Sequence, residues 1–225
     1  MTANTSPKTM ATKKANADIK LANLAFNQQM LRKGLLTMRA INHPVRKELL
    51  KIIFKKKETT VTELFIALRQ EQSVVSQHLA ILRRIHVLQA NRQGKNIIYS
   101  VNNEELRRTL QFANGVQPEK GTAELTKEKL DLGDSNAAYN AMRVLSHPLR
   151  LQLMEFIDKH KEINVNKIYN SLGLEQSITS QHLRMLREQN LVNTRKEGKK
   201  IFYSLNEKRL NQVSNAMGNY FGANN

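Results

Sequence analysis

The stretch EQSVVSQHLAILR at residues 71–83 returns as EQSITSQHLRMLR at residues 175–187. Each copy sets small or amide side chains at helical spacing: Gln72, Ser73, Ser76 and Gln77, then Gln176, Ser177, Ser180 and Gln181. Val75, Leu79 and Leu82 recur on another side, so the segment reads as an amphipathic helix with an uncharged, hydrogen-bonding outer face. Sliding the chain against itself by the same 104 residues aligns 38–106 with 142–210 without a gap, identical at 28 of 69 positions. A period this long denotes two domains rather than a solenoid.

Working outward, MRAINHPVR pairs with MRVLSHPLR, and GKNIIYSVN with GKKIFYSLN. Pro44 and Pro148 suit the first turn of a helix, where proline's fixed φ fits and its missing N–H costs nothing. His43 and His147, just before them, read as cap residues. Leu49, Leu50, Ile53 and Phe54 then recur at helical spacing, as do Leu153, Met154, Phe156 and Ile157. Thr60 followed by Glu63 forms a capping box for a short helix; in the second copy Asn164 can cap, but Lys167 breaks the box. VLQANRQGKNIIYSV and LVNTRKEGKKIFYSL read as hairpins with glycine in the turn and basic tips. A closing helix carries Leu106, Leu110 and Phe112 in the first copy and Leu210, Val213, Met217 and Phe221 in the second.

A helix also precedes each copy, long in ADIKLANLAFNQQMLRKGLL and shorter in SNAAYNAMRVL. GVQPEKGTAELTKEKLDLGDS, with few large apolar residues, reads as a linker holding one turn of helix around 125–132. The expected division is a basic disordered tail at 1–16, a first domain at 17–114, a linker at 115–134 and a second domain at 135–225. The fold class is mainly α with small β-hairpin wings: two tandem winged helix-turn-helix domains.

The 225 residues carry a formal net charge of +17 and a pI near 10.2, which calls for a polyanionic partner. There is no cysteine, so disulfides, thiolate metal sites and cysteine nucleophiles are excluded together. No apolar run approaches the roughly 20 residues of a membrane span, which points to a soluble cytoplasmic, nucleoid-associated protein without a membrane partner.

Three helices with a polar third face, followed by a basic hairpin, make a winged helix-turn-helix. In wording as well as pattern, each copy resembles the ArsR family of bacterial repressors. The resemblance rests on HPVR/HPLR, the LGLEQSITSQHLRMLRE run, and the G-K-x-I-x-Y-S wing strand. It implies a double-stranded DNA partner, dimerisation through first and last helices, and transcriptional repression. Two departures stand out. The helix that carries a Cys-x-Cys metal pair in many members reads VTELFIAL here and VNKIYNSL in the second copy, and the last helices have no histidine. The usual metal inducer therefore does not carry over, and no metal or other cofactor is expected. The second departure is the fusion of two copies, which makes an intramolecular pseudodimer the favoured assembly and a homodimer through the long first helix its rival.

By the same resemblance, the repeated Gln and Ser set lies where base edges are read. His78 and His182, in the same helices, are placed at the helix edge or on a phosphate rather than on a metal. Arg92, Lys95, Arg195, Lys196, Lys199 and Lys200 flank the wing tips, where a hairpin touches phosphates or the minor groove. Phe26, Met30, Tyr139 and Tyr220, with the closing-helix aromatics, read as core or interface rather than as a sensor pocket. No phosphate loop, nucleophile elbow or carboxylate and histidine cluster indicates an enzyme. The alternative to a sequence-specific regulator is an architectural, nucleoid-type protein binding DNA by charge with little sequence preference.

Overall fold

Ile19 with Leu21 and Leu24 with Phe26 fall at strand spacing, and the first described residues are strands accordingly. The structure, a computed structural model, describes residues 18–21, 24–118 and 123–222, so the expected tail at 1–16 lies outside the described residues. β1 (Asp18–Leu21) and β2 (Leu24–Asn27) form an antiparallel hairpin, Asp18 opposite Asn27. This corrects the single long helix read from ADIKLANLAFNQQMLRKGLL. The helix α1 (Gln28–Ile41) starts only where the Asn27 side chain accepts hydrogen bonds from the Gln29 and Met30 amides.

The first copy continues as expected through α2 (Pro44–Lys56), β3 (Glu58–Thr60), α3 (Val61–Leu68), α4 (Gln72–Arg84), β4 (Leu88–Gln93), β5 (Asn96–Val101) and α5 (Asn103–Val116). Pro44 opens α2, and the Thr60–Glu63 capping box on α3 is complete. β5 pairs with both β3 and β4, making a three-stranded sheet whose β4–β5 arm is the wing.

Around 125–132, where the sequence suggests a turn of helix, the described residues form a hairpin instead. β6 (Glu124–Leu125) and β7 (Leu130–Asp131) make a minimal hairpin, closed where the Thr126 amide donates to the Lys129 carbonyl at 2.9 Å. The Asn114 side chain donates to the Ala123 carbonyl and accepts from the Ala123 amide, tying this segment to α5. Ala123, Leu130 and Leu132 thereby join the core of the first head.

The second copy repeats every element: α6 (Ser135–Leu145), α7 (Pro148–His160), β8 (Glu162–Asn164), α8 (Val165–Leu172), α9 (Gln176–Glu188), β9 (Val192–Glu197), β10 (Lys200–Leu205) and α10 (Glu207–Phe221). Asn164 caps α8 by accepting from the Lys167 amide at 2.9 Å.

One apolar core lies within the first head, around Leu49, Leu64, Leu79 and Leu106. The other fills the second head and runs on into Leu31, Met38, Phe112 and Val116 of the first copy, because α1 packs on α6 and α5 on α10. The contacts between copies are reciprocal. Position 42 or 146 of one copy meets 135 or 31 of the other: Ser135 Oγ is 3.2 Å from Asn42 Oδ1, and Ser146 Oγ is 3.1 Å from the Leu31 carbonyl. Positions 105 and 209 likewise meet 220 and 116: the Tyr220 hydroxyl donates to Glu105 at 2.9 Å, and Arg209 Nη2 donates to the Val116 carbonyl at 2.6 Å. Such reciprocity is the mark of a two-fold-related interface. Phe112 stacks on Tyr220 at 4.8 Å, and a Cβ on Gly115 would lie 2.6 Å from Ala216 Cβ, so α5 and α10 approach closely only because residue 115 is glycine.

Candidate nucleic-acid interface

The polar face of the repeated helix is presented by the turn before it. α3 ends at Arg69 in the left-handed region, φ 52°, and α8 at Gly173, φ 62°. α4 and α9 then start without a side-chain cap or an acidic residue in the first turn. Their first amides are left to solvent or a ligand, with the positive end of the helix dipole behind them. Val75, Leu79 and Leu82 anchor α4 in the core, as Thr179, Leu183 and Leu186 anchor α9. Opposite them Gln72, Ser73, Ser76 and Gln77, and Gln176, Ser177, Ser180 and Gln181, are all exposed. The Ser177 hydroxyl lies 3.5 Å from Glu175; the amide groups of this set are open to both donate and accept.

His78 and His182, on the same helices, are not part of that fully exposed face. Each is half-buried and turned toward a buried arginine. Arg46, 7% exposed, donates through Nε to the Ala40 carbonyl and through Nη2 to the Arg39 carbonyl at 2.9 Å, while Nη1 lies 3.3 Å from His78 Nδ1. Arg150 repeats this on the Val144 and Arg143 carbonyls and His182 Nδ1, at 2.6, 2.7 and 3.4 Å. An arginine only donates, so each histidine accepts at Nδ1 and keeps its proton on Nε2. The guanidinium thus ties the end of α1 or α6 to α4 or α9, and the repeated H-P-x-R motif is its visible trace. Arg46 and Arg150 were not singled out from sequence; their identity in both copies, at one spacing from the Ser-Gln-His run, was the available signal.

His43 and His147 occupy the N-cap positions but give no side-chain cap hydrogen bond. Their rings instead lie 4.6 and 4.9 Å from those of His78 and His182, and their Nδ1 atoms are buried without a partner among the described residues. Burial first, and the neighbouring arginine second, hold all four histidines below the usual histidine range. Burial, with Arg143 nearby, also pushes Arg150 down to about 10.

The wings differ in charge. Gly94 and Gly198, φ 59° and 57°, turn the two tips, and Arg92, Lys95, Lys196, Lys199 and Lys200 are exposed with no salt bridge among the described residues. Arg195, expected at the DNA with the other wing residues, is instead engaged by carboxylates of its own head. Its guanidinium is bidentate to Glu162 at 2.9 and 2.8 Å, reaches Glu197 at 2.8 Å and covers the Phe202 ring. Those carboxylates hold its proton more firmly than usual and cancel its charge locally. It braces the second wing.

Residues 43–85 and 147–194 match the family model described as bacterial regulatory protein, arsR family. Over 99 residues the chain is 35% identical to the biofilm growth-associated repressor of Xylella fastidiosa, covering 44% of this chain and 85% of that protein. It is 36% identical over 80 residues to the transcriptional repressor PagR of Bacillus anthracis, covering 36% and 80%. The crystal structure of NolR from Sinorhizobium fredii aligns at 34% identity over 38% of this chain and 84% of that one, with a TM-score of 0.32. Each of these matches takes up less than half of this chain and most of the relative.

Proposed function

The chain belongs to the arsR family of bacterial regulatory proteins, and from that premise we propose a repressor in which a single chain supplies both DNA-reading heads. That it is a DNA-binding transcriptional regulator follows from the family and its named repressors. In the finer reading the Gln and Ser faces of α4 and α9 read base edges, and Arg92, Lys95, Lys196, Lys199 and Lys200 hold phosphates. The heads, proposed at 17–114 and 135–225 about the 115–134 linker, act as an intramolecular pseudodimer on one pseudo-palindrome. Reading helices one helical turn apart, about 34 Å, suit such a site.

The observation that carries this reading is the reciprocal packing of α1 on α6 and α5 on α10. It gives a symmetric dimer's contacts within one chain, and tethering favours it over pairing between chains by raising the effective concentration to roughly millimolar. Since one copy reads QSVVSQ and the other QSITSQ, the preferred site is two similar but unequal half-sites. Light scattering tests the assembly: 25.8 kDa for the protein without DNA, and one chain per duplex in the complex, are the expected results, and a species of twice that mass without DNA overturns it.

A second reading, charge-driven architectural binding, is favoured by the net charge of +17. Selection from random duplexes at one salt concentration separates the two, since an architectural protein enriches no motif. We assign no catalytic activity and place the protein in the cytoplasm on the nucleoid; among the described residues no helix is long and apolar enough to cross a membrane. Without cysteine, release from DNA by stoichiometric Zn, Cd, As or Cu is not expected, and gel-shift titration with each metal checks this.

A further inference from the structure

The duplication provides its own control for a ligand site. A cleft of about 800 Å³ lies where α1, the C-terminal end of α4 and the end of α10 meet, within the range of small-molecule sites. Lys33, Arg39 and Arg84 line it, exposed and without a salt bridge among the described residues. Between them sit Leu36, 56% exposed, Ile81, 39% exposed, and Phe221. Arg46 closes the inner wall. The one carboxylate on the lining, Glu105, is already held by Arg108 at 3.2 Å and by the Tyr220 hydroxyl. A cationic rim around an apolar floor matches an anion with an apolar body.

The pseudo-two-fold relates this place to one in the other half, 104 residues away along the chain, and the two have diverged at the lining. Leu36 becomes Asn140, Lys33 becomes Ala137, Arg84 becomes Glu188, and Phe221 corresponds to Gln117. Glu105 corresponds to Arg209, whose buried guanidinium reaches the Val116 carbonyl at 2.6 Å, the Gln189 carbonyl at 3.4 Å and Gln212 at 2.9 Å. That side chain occupies its own half, knitting α10 to the end of α9 and the end of α5. In the first half Glu105 stays at the wall with Tyr220, and Ile85 stands where Gln189 does.

We propose that this cleft is a single, asymmetric binding site for an organic carboxylate with an aliphatic or aromatic body, its head group on Lys33, Arg39 and Arg84 and its body on Leu36, Ile81 and Phe221. The site is wedged between the recognition helix of one head and the last helix of the other copy. An occupant there contacts both α4, the exposed-faced helix of the first head, and α10, which packs on α5 across the pseudo-two-fold. Binding at the cleft does not depend on how the protein reads DNA, so the two propositions fail separately.

The test uses the full chain without DNA. The fluorescent anion 8-anilinonaphthalene-1-sulfonate is titrated into the protein, then displaced with decanoate, decanol or inorganic phosphate. Saturation at one probe per chain, with displacement by decanoate but not by decanol or phosphate, is the expected result. Arg84→Glu and Leu36→Asn, which install the residues of the other half at exposed positions, each weaken the probe and decanoate by tenfold or more. Glu188→Gln at the corresponding place leaves both unchanged, and circular dichroism melts confirm that the variants are folded. Two or more equivalent probe sites, displacement by decanol as effective as by decanoate, displacement by phosphate alone, or wild-type binding by both cleft variants overturns the proposal.

Discussion

Thr179 offers a perturbation whose size follows from the fold. It is fully buried on the inner face of α9, and its hydroxyl has no hydrogen-bond partner among the described residues. The same position in α4 is Val75, also fully buried. Thr179→Val exchanges a hydroxyl for a methyl of similar volume, so no cavity opens, and the two residues have similar helix propensity. The term removed is the desolvation of an unpaired hydroxyl, about 1–3 kcal/mol. Taking the middle of that range, about 2 kcal/mol, Tm rises by about 4–8 °C for a cooperative unit of this size. The converse, Val75→Thr, lowers stability by a comparable amount in the first head. Urea unfolding followed by circular dichroism measures both, the midpoint moving while the slope stays constant. Because neither side chain reaches the outer face, the dependence of DNA affinity on salt stays as in wild type. A Thr179→Val protein no more stable than wild type, or a Val75→Thr protein equally stable, refutes the view that this hydroxyl is an uncompensated cost.

Gln72→Ala with Gln77→Ala weakens binding to a selected operator by about 1–3 kcal/mol for each well-formed pairing with a base that disappears, and hardly affects random duplex; equal weakening on both, by fluorescence anisotropy, contradicts base reading. Lys95→Ala and Lys199→Ala weaken all duplexes alike and each reduce the slope of log affinity against log salt by about one unit. Arg46→Lys cannot reproduce the guanidinium's fork onto two carbonyls and His78, and it lowers stability by about 2–4 kcal/mol, measurable by urea unfolding; a near-neutral change refutes the tie between α1 and α4. His43, His78, His147 and His182 have folded-state pKa values below the free value of 6.5, so the unfolded chain binds more protons beneath that pH. Their contribution to stability is therefore complete above 6.5 and is lost as pH falls below it, while the depressed carboxylates Glu63 and Glu162, with a free value of 4.5, respond only at lower pH. Tm scans between about pH 7.5 and pH 5.5 show the decline, and His78→Gln with His182→Gln flattens it; a Tm that holds constant across that window contradicts the coupling.

The ungapped repeat made most of the architecture legible before any coordinates. Pro44 and Pro148 open helices, Thr60 with Glu63 caps one, Asn164 caps another, and Gly94 and Gly198 turn the wings, because each of these signals acts within a few residues of itself. The outward Gln and Ser set was legible for the same reason, since helical periodicity alone separates it from Val75, Leu79 and Leu82. Where local signals competed, sequence reading erred. The apolar spacing of residues 17–36 fits a helix and a hairpin alike, and pairing of β1 with β2 together with the Asn27 cap decided it.

Other features belong to tertiary structure alone, because their partners are remote in sequence. Arg195 has a local partner in Glu197, but its bracing of the second wing comes with the bidentate approach of Glu162, 33 residues away. His78 reads as a surface residue of its helix until Arg46, 32 positions earlier, is found beneath it. The pair of Glu105 and Arg209 appears in the sequence as one of many differences between two copies. It gains meaning only when α5 and α10 meet across the pseudo-two-fold, where Arg209 reaches the Val116 carbonyl and Glu105 stands on the wall of the cleft with Tyr220. Composition and periodicity determine what each copy becomes; how a duplicated surface is divided between its halves is decided by contacts that form only when the halves pack.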